Sequence, residues 1–225
     1  MTLTDILYRV LIAGGSWLTI LKGLLATLQI SFFSIIIGTA LGAVICALRM
    51  SRIRLLKTFA SIYIVILRGS PVLMLLMLLY YGVFARSPLS PVTIAVITYS
   101  LNVAASVAEI IRTSIEATEH GQVEAALTLG FTPLQAFRLV TLPQLLIDAK
   151  PVYQSAVVNL IQWTSVVGYV SITDLTRVIN NTAARTMQPF VTITVGMLIY
   201  LALAYIVNGL FALSDKWEES KRKQH

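Results

Sequence analysis

Residues able to do chemistry are few in this chain. His120 and His225 are the only histidines and Cys46 is the only cysteine. A His- or Cys-based metal centre therefore has too few ligands, and no intrachain disulfide can form. Cys46 sits in an apolar run with no histidine or base beside it to activate a nucleophile. What remains is a set of polar groups embedded in apolar sequence. Arg68 is the most informative of them, because a charge inside a membrane span costs about 2.5–3.5 kcal/mol on insertion scales. It is expected to face a bundle interior, a subunit contact or water. Gly69 and Pro71 beside it interrupt a helix and free backbone groups that can line a cavity. Two readings of Arg68 stay open: a gate or cavity element facing a substrate carboxylate, or an arginine that fixes the bundle through backbone carbonyls or a partner acid. Asn102, Gln162 and Thr164 join Arg68 as candidate cavity or gate residues. Their alternative is interhelical hydrogen bonding, worth about 0.6 kcal/mol on average.

The elements that carry these residues follow from composition. Of the 225 residues, 57% are hydrophobic and only 12% are charged, with a mean hydropathy of +0.82. Typical soluble domains carry roughly 25% charged residues. This balance argues against an ordinary soluble enzyme, a disordered protein and a nucleic-acid-binding domain. The net charge of +7 reads instead as membrane orientation.

Five long windows lie between charges. They are the 26 residues between Lys22 and Arg49, the 28 from Thr58 to Ala85 with Arg68 alone, the 22 from Ser87 to Ala108, the 23 from Pro151 to Thr173 and the 29 from Thr186 to Ser214. About 20 apolar residues suffice to cross the hydrocarbon, and lipid demands helices where nothing alternates as barrel strands would. The fold class expected is all-α, a polytopic membrane protein with five transmembrane helices near 24–48, 59–83, 90–110, 152–172 and 189–213. Residues 1–22 read as an outer-face amphipathic lead-in rather than a signal peptide, since Asp5 and Arg9 interrupt a short apolar run. Residues 23–215 form one membrane domain, and 216–225 a basic tail. With the N-terminus outside, eleven Lys and Arg fall inside and five outside, which selects N-out/C-in by the positive-inside rule. Trp217 reads as an inner interface anchor, followed by Lys221-Arg222-Lys223 for anionic headgroups. Gly38 and Gly42 form a helix-packing pair.

One connection is long, about 111–150, on the expected cytoplasmic side. Residues 113–129 read as helix, rich in Ala, Leu and Glu. Gly130 offers a stop, and Thr132-Pro133 an N-cap with proline at the first helical position. A second short helix, LQAFRLVTL, is expected to end at Pro143. Ala125, Ala126, Leu129, Phe131, Leu134, Phe137 and Leu142 are too many apolar groups for a solvated loop, so they want a partner surface.

In this loop Glu124-Ala125-Ala126, three residues, Gly130, nine residues, Val140, one residue and Leu142-Pro143 follow in order. This spacing resembles the EAA motif of ATP-binding-cassette importer permeases, with Val140 where Ile is usual. Ala108-Glu109-Ile110-Ile111-Arg112 with Gly121-Gln122-Val123-Glu124-Ala125-Ala126 is similar to a block of the polar amino acid permease family. So are Tyr63 through Arg68-Gly69-Ser70-Pro71, with Ser70 in place of Thr, and Lys22-Gly23-Leu24 with Thr27-Leu28 and Ser31. Thr164-Ser165 and Asp174-Leu175 resemble its fourth span, although Gln162-Trp163 stand where the family often has Lys-Asp. The resemblance covers about residues 20 to 215.

What the resemblance implies is a type I importer permease fold in the bacterial cytoplasmic (inner) membrane. Two permease copies, identical or paralogous, would pair with a cytoplasmic ATPase dimer, and an extracytoplasmic amino-acid-binding protein would deliver the substrate. Glu124, Ala125, Ala126, Gly130, Leu142 and Pro143 would form the segment that docks on the ATPase. ATP and Mg would be held by that partner, and no cofactor by this chain, which has no GxxxxGK[ST] loop. The function implied is inward movement of a polar amino acid by alternating access, with no catalysis here. An ion-coupled transporter or channel is the competing reading. It would want acidic residues at mid-membrane, and no Asp or Glu falls deep within a span.

Overall fold

The computed structural model describes the backbone over residues 3–118 and 120–222, and side chains over 4–118 and 121–216. Among the described residues the chain is all-helical. Helix α1 spans Leu3–Leu11, and after a 3-10 turn at Ala13–Gly15 helix α2 runs over Ser16–Arg49. Then follow α3 (Arg54–Gly69), α4 (Val72–Met77) with a π turn at Leu78–Val83, and α5 (Pro91–Ala117). Two short helices, α6 (His120–Thr128) and α7 (Pro133–Ala136), lead through a π turn at Phe137–Thr141 into α8 (Leu142–Trp163). A 3-10 segment at Thr164–Val170, α9 (Leu175–Thr186) and α10 (Pro189–Arg222) complete the order.

Among the described residues, three helices are long and apolar enough to cross a membrane by themselves, Ala13–Arg49, Pro91–Ala117 and Pro189–Lys216. Two bent helix pairs bring the number to five if each counts as one span: Arg54–Gly69 with Val72–Val83, and Pro133–Val170 with Leu175–Thr186. Breaks divide both pairs. The stretch expected as one span over 59–83 is interrupted at Ser70, which is extended at φ −94° and ψ 138°. Proline has no N–H to donate and pushes the residue before it out of the helical region. The second pair bends by 60°. Within its first member, α8 begins at Leu142, ten residues before the span expected at 152, and carries Pro151 in its interior.

Pro143 does not end the short helix as the sequence suggests. The chain widens into the π turn, where the Leu142 N–H bonds the Phe137 carbonyl, and runs on as α8. An extra residue in the turn takes up the strain that a proline imposes on the carbonyl four residues back. Two further boundaries differ from expectation. Residues 16–22 belong to the long helix α2 rather than to a separate lead-in, and α9 was not legible as a helix. Asp174 starts α9, its carboxylate accepting from the N–H groups of Thr176 (2.9 Å) and Arg177 (3.1 Å). Trp217 and Lys221-Arg222-Lys223 lie outside the residues whose side chains are described.

The chain packs as two compact units. One comprises the residues up to Ser34, Val72–Tyr99 and those from Val157 on. Its core joins Ile20, Leu175, Val178 and Ile179, with Leu11, Leu24, Ile199 and Tyr200 against it. The backbones of α2 and α9 come close at Gly23, where a Cβ would lie 2.9 Å from the Asp174 carbonyl oxygen. In this unit Arg185 donates to the Ala13 carbonyl (3.4 Å) and to the Ser16 hydroxyl, tying the Gly14-Gly15 joint to the end of α9. The other unit comprises Ile35–Pro71 and Ser100–Ala156. Cys46, Ile64, Ala105 and Ala108 form one cluster, and Ile110, Leu145 and Ala149 another. Gly38 and Gly42 let α2 meet α5: a Cβ at either would stand 2.6–2.7 Å from the nearest atom of Val103 or Val107.

Candidate functional site

The segment around Gly130 is built from local signals that reinforce one another. Helix α6 ends at Gly130, whose φ of +89° is a left-handed value that suits glycine. The Phe131 N–H reaches back to the Ala126 carbonyl (3.1 Å) and the Gly130 N–H to Leu127 (3.0 Å). These are the two bonds of a Schellman end. Two residues later the Thr132 hydroxyl accepts from the Gln135 N–H, and the Gln135 side chain accepts from the Thr132 N–H (2.8 Å), closing a capping box with Pro133 at the first helical position. The turn between the two short helices is therefore fixed from both sides. Gln144 donates to Gln122 across the segment.

Of the EAA-like residues, Glu124, Ala125, Gly130 and Pro143 are exposed, Leu142 is half-buried and Ala126 is buried. The apolar groups that wanted a partner are mostly uncovered in this chain: Leu129 is 79% exposed and Leu134 59%, and Phe131 and Phe137 are also exposed. Leu127 and Leu139 join them, an extension the sequence reading did not include. Beneath them a cavity of about 270 Å³ is lined by Ile115, Val123, Leu127, Pro133, Ala136 and Phe137, among others. The result is a fixed, apolar, exposed ledge that carries the Glu124 carboxylate. Nearby, Arg112 pairs with Glu109 through two bonds (2.6 and 3.0 Å) and with Glu116. These are ion pairs one turn apart along α5.

In the same unit, Arg68 is exposed in the last turn of α3. Asn102 is 4% exposed, and its amide donates to the Leu67 carbonyl at 2.8 Å. In an unbroken helix that carbonyl would accept from residue 71, which is proline and has no N–H. Asn102 supplies the missing donor and so stabilises the break beside Arg68.

Gln162 and Thr164 belong to the other unit. Gln162 is exposed near the end of α8. Thr164 is fully buried and donates to the Ile161 carbonyl (2.6 Å) where the 3-10 segment begins. Just beyond it, Ser165, Gly168, Tyr169, Thr176, Arg177 and Asn180 line a cavity of about 360 Å³. A second recess of about 240 Å³ shares Ser165, Thr176 and Asn180 and adds Ile179, Ile193, Gly196, Met197 and Tyr200. Arg177 is held by its Nη1 on the Gly168 carbonyl (3.2 Å), and Thr176 shares a 2.9 Å hydrogen bond with Tyr200. In the sequence Arg177 is one of the five basic residues expected outside, with nothing else to single it out. The signal that could have found it is an Asp N-cap followed by Thr176, Arg177 and Asn180 at helical spacing.

Comparison with known proteins agrees with this picture. The sequence matches the family described as "Binding-protein-dependent transport system inner membrane component" over residues 34–219. It is 34% identical over 203 residues to YckA, a probable amino-acid ABC transporter permease of Bacillus subtilis, covering 90% of each chain. It is 30% identical to NocM, the nopaline transport system permease of Agrobacterium fabrum, covering 85% of this chain and 84% of the relative. A solved amino acid ABC transporter with histidines superposes with a TM-score of 0.81 at 31% identity, over 88% of this chain and 93% of that one. The MetNI methionine ABC transporter shares the fold, with a TM-score of 0.70 at 20% identity over 89% and 96%.

Proposed function

The chain belongs to the binding-protein-dependent transport system inner membrane component family, and on that premise we propose that it moves an amino acid, or a closely related compound, inward by alternating access. It is the permease subunit of an ATP-binding-cassette importer and an inner-membrane protein. As in its family, it works with an ATPase and a substrate-binding protein. In the arrangement proposed, the N-terminus is outside and the C-terminus inside. Two permease subunits, identical or paralogous, enclose the pathway. A cytoplasmic ATPase dimer binds ATP and Mg, and this chain hydrolyses nothing. The extracytoplasmic binding protein delivers a polar amino acid.

The observation that carries the proposal is the ledge around Gly130: a turn fixed by a Schellman end and a capping box, with apolar groups and Glu124 uncovered. An exposed apolar surface of this kind wants a partner, and a fixed turn transmits displacement better than a flexible one. Closure of the ATPase would move the ledge, and α5 and α8, which flank it in sequence, would carry that movement into the spans.

The test is copurification. Tagged wild-type chain co-expressed with its ATPase should retain the ATPase in detergent, while Glu124→Lys and Gly130→Asp should lose it or uncouple it, with membrane insertion intact. Full ATPase retention and undiminished ATP-driven uptake in both variants would remove the docking role.

A further inference from the structure

We propose that the elbow between α2 and α3 is a binding site for an acidic phospholipid: Arg52, Arg54 and Lys57 take the phosphate headgroup, and an apolar stripe along α3 takes an acyl chain. The site uses none of the residues of the ledge around Gly130, and it holds whichever amino acid the chain moves.

Charge marks the elbow first. The apolar window of α2 closes at Leu48, and Arg49, Arg52, Arg54 and Lys57 follow within nine residues. No Asp or Glu occurs between Asp5 and Glu109. Arg52, Arg54 and Lys57 are exposed, and among the described residues none of the three pairs with an acid. Arg49 is half-buried and acts on Glu109, so it stands outside the site. Arg54 and Lys57 are three apart on α3 and therefore neighbours on its surface. Like charges so placed repel, and an anion between them removes that cost.

The elbow is also too short to leave the membrane surface. Only residues 50–53 link the two helices. Four residues reach about 14 Å when extended. A link that rises and returns therefore climbs about 7 Å, within the Debye length of about 8 Å. The cations stay at headgroup level, where acidic lipids attract basic residues that flank a span. The apolar stripe starts at the same place. Leu55 is 78% exposed and Phe59 60%, and Ile62 and Ile66 are each more than half exposed. Spacings of four, three and four put them on one face of α3. Water is a poor neighbour for such a stripe and an acyl chain a good one. Arginine and lysine can lay their stems along it and lift their heads to a phosphate. A zwitterionic headgroup brings its own cation and neutralises less. A second copy of the chain, packed face to face here, would set cation against cation.

The test uses the permease–ATPase complex in a neutral detergent, mixed with equal amounts of phosphatidylglycerol and phosphatidylcholine bearing the same chains. Retained lipid is measured by mass spectrometry. Wild type should retain phosphatidylglycerol over phosphatidylcholine by at least about tenfold. The excess should shrink as salt rises from about 0.1 M to about 1 M, where the Debye length falls to about 3 Å. The triple variant Arg52→Gln/Arg54→Gln/Lys57→Gln should lose most of it, and the charge-keeping Arg52→Lys/Arg54→Lys/Lys57→Arg should keep it. So should Arg9→Gln/Lys22→Gln/Arg86→Gln, which removes the same charge elsewhere. Excess inorganic phosphate at constant ionic strength should leave the lipid bound. Equal retention of the two lipids by wild type, a ratio indifferent to salt, an unchanged ratio in the triple glutamine variant, or displacement by inorganic phosphate would each overturn the proposal. So would loss of the ATPase from that variant with its topology intact by thiol labelling, which would assign the patch to the ATPase instead. If the variant fails to insert, the wild-type ratio and its salt dependence decide alone.

Discussion

Asn102 and Pro71 illustrate how single residues settle the local structure. The proline removes one donor from α3, and the asparagine returns one from α5. A buried carbonyl left unpaired costs about 1–3 kcal/mol, at the low end inside a membrane bundle. Asn102→Ala is therefore expected to destabilise the protein by about 1 kcal/mol in thermal unfolding. The loss should shrink in a Pro71→Ala background, where residue 71 regains its N–H; equal losses in both backgrounds would contradict the pairing. Gly130 gives a second residue-level test. Its φ of +89° makes a side chain costly even though a Cβ would meet nothing within 4 Å. Gly130→Ala should loosen the end of α6 by about 1 kcal/mol, while Gly121→Ala, with equal space and no left-handed backbone, should be neutral or stabilising. Hydrogen exchange of the 124–131 amides separates the two.

At the level of elements, close packing of α2 on α5 depends on the absence of side chains at Gly38 and Gly42. Forcing a Cβ into that contact costs about 1–3 kcal/mol. Gly38→Ala should destabilise by that amount. Val103→Ala should recover only part of it, because the Cβ that alanine keeps lies 2.7 Å from the added Cβ and the Ser100 carbonyl oxygen 3.0 Å from it. Full recovery would mean that the backbone contact is not limiting. This small-residue pair was legible in the sequence because its spacing places both glycines on one helix face. So were the cores of the long helices, since lipid leaves an apolar run no other option. The Schellman end at Gly130 and the Thr132 cap were legible too, because capping is local chemistry. The continuation of α8 back through Pro143 was not, because a π turn depends on packing that no residue type announces. The break in the second span was legible, because Gly69 and Pro71 mark it on either side of Ser70. The Arg177 recess was illegible for another reason: its walls come from segments that meet only through tertiary packing.

At the scale of the whole molecule, orientation and coupling are the two claims that matter. Eleven of seventeen basic residues fall on one side of the expected topology, so α2 should run inward and the link between α2 and α3 should lie in the cytoplasm. In a Cys46→Ser chain, a cysteine at Ile53 should escape a membrane-impermeant thiol reagent in intact cells. One at Ala85 should be labelled; the reverse pattern would invert the topology. In the proposed orientation the ledge around Gly130 lies on the cytoplasmic side, where the ATPase proposed to drive transport would meet it. The most direct measurement of that claim is amino acid uptake into proteoliposomes containing this permease, its ATPase and its binding protein. The account predicts uptake that requires internal ATP, stops when the ATPase is omitted and falls at least tenfold with Gly130→Asp. Uptake that persisted without the ATPase, driven by an ion gradient, would contradict it.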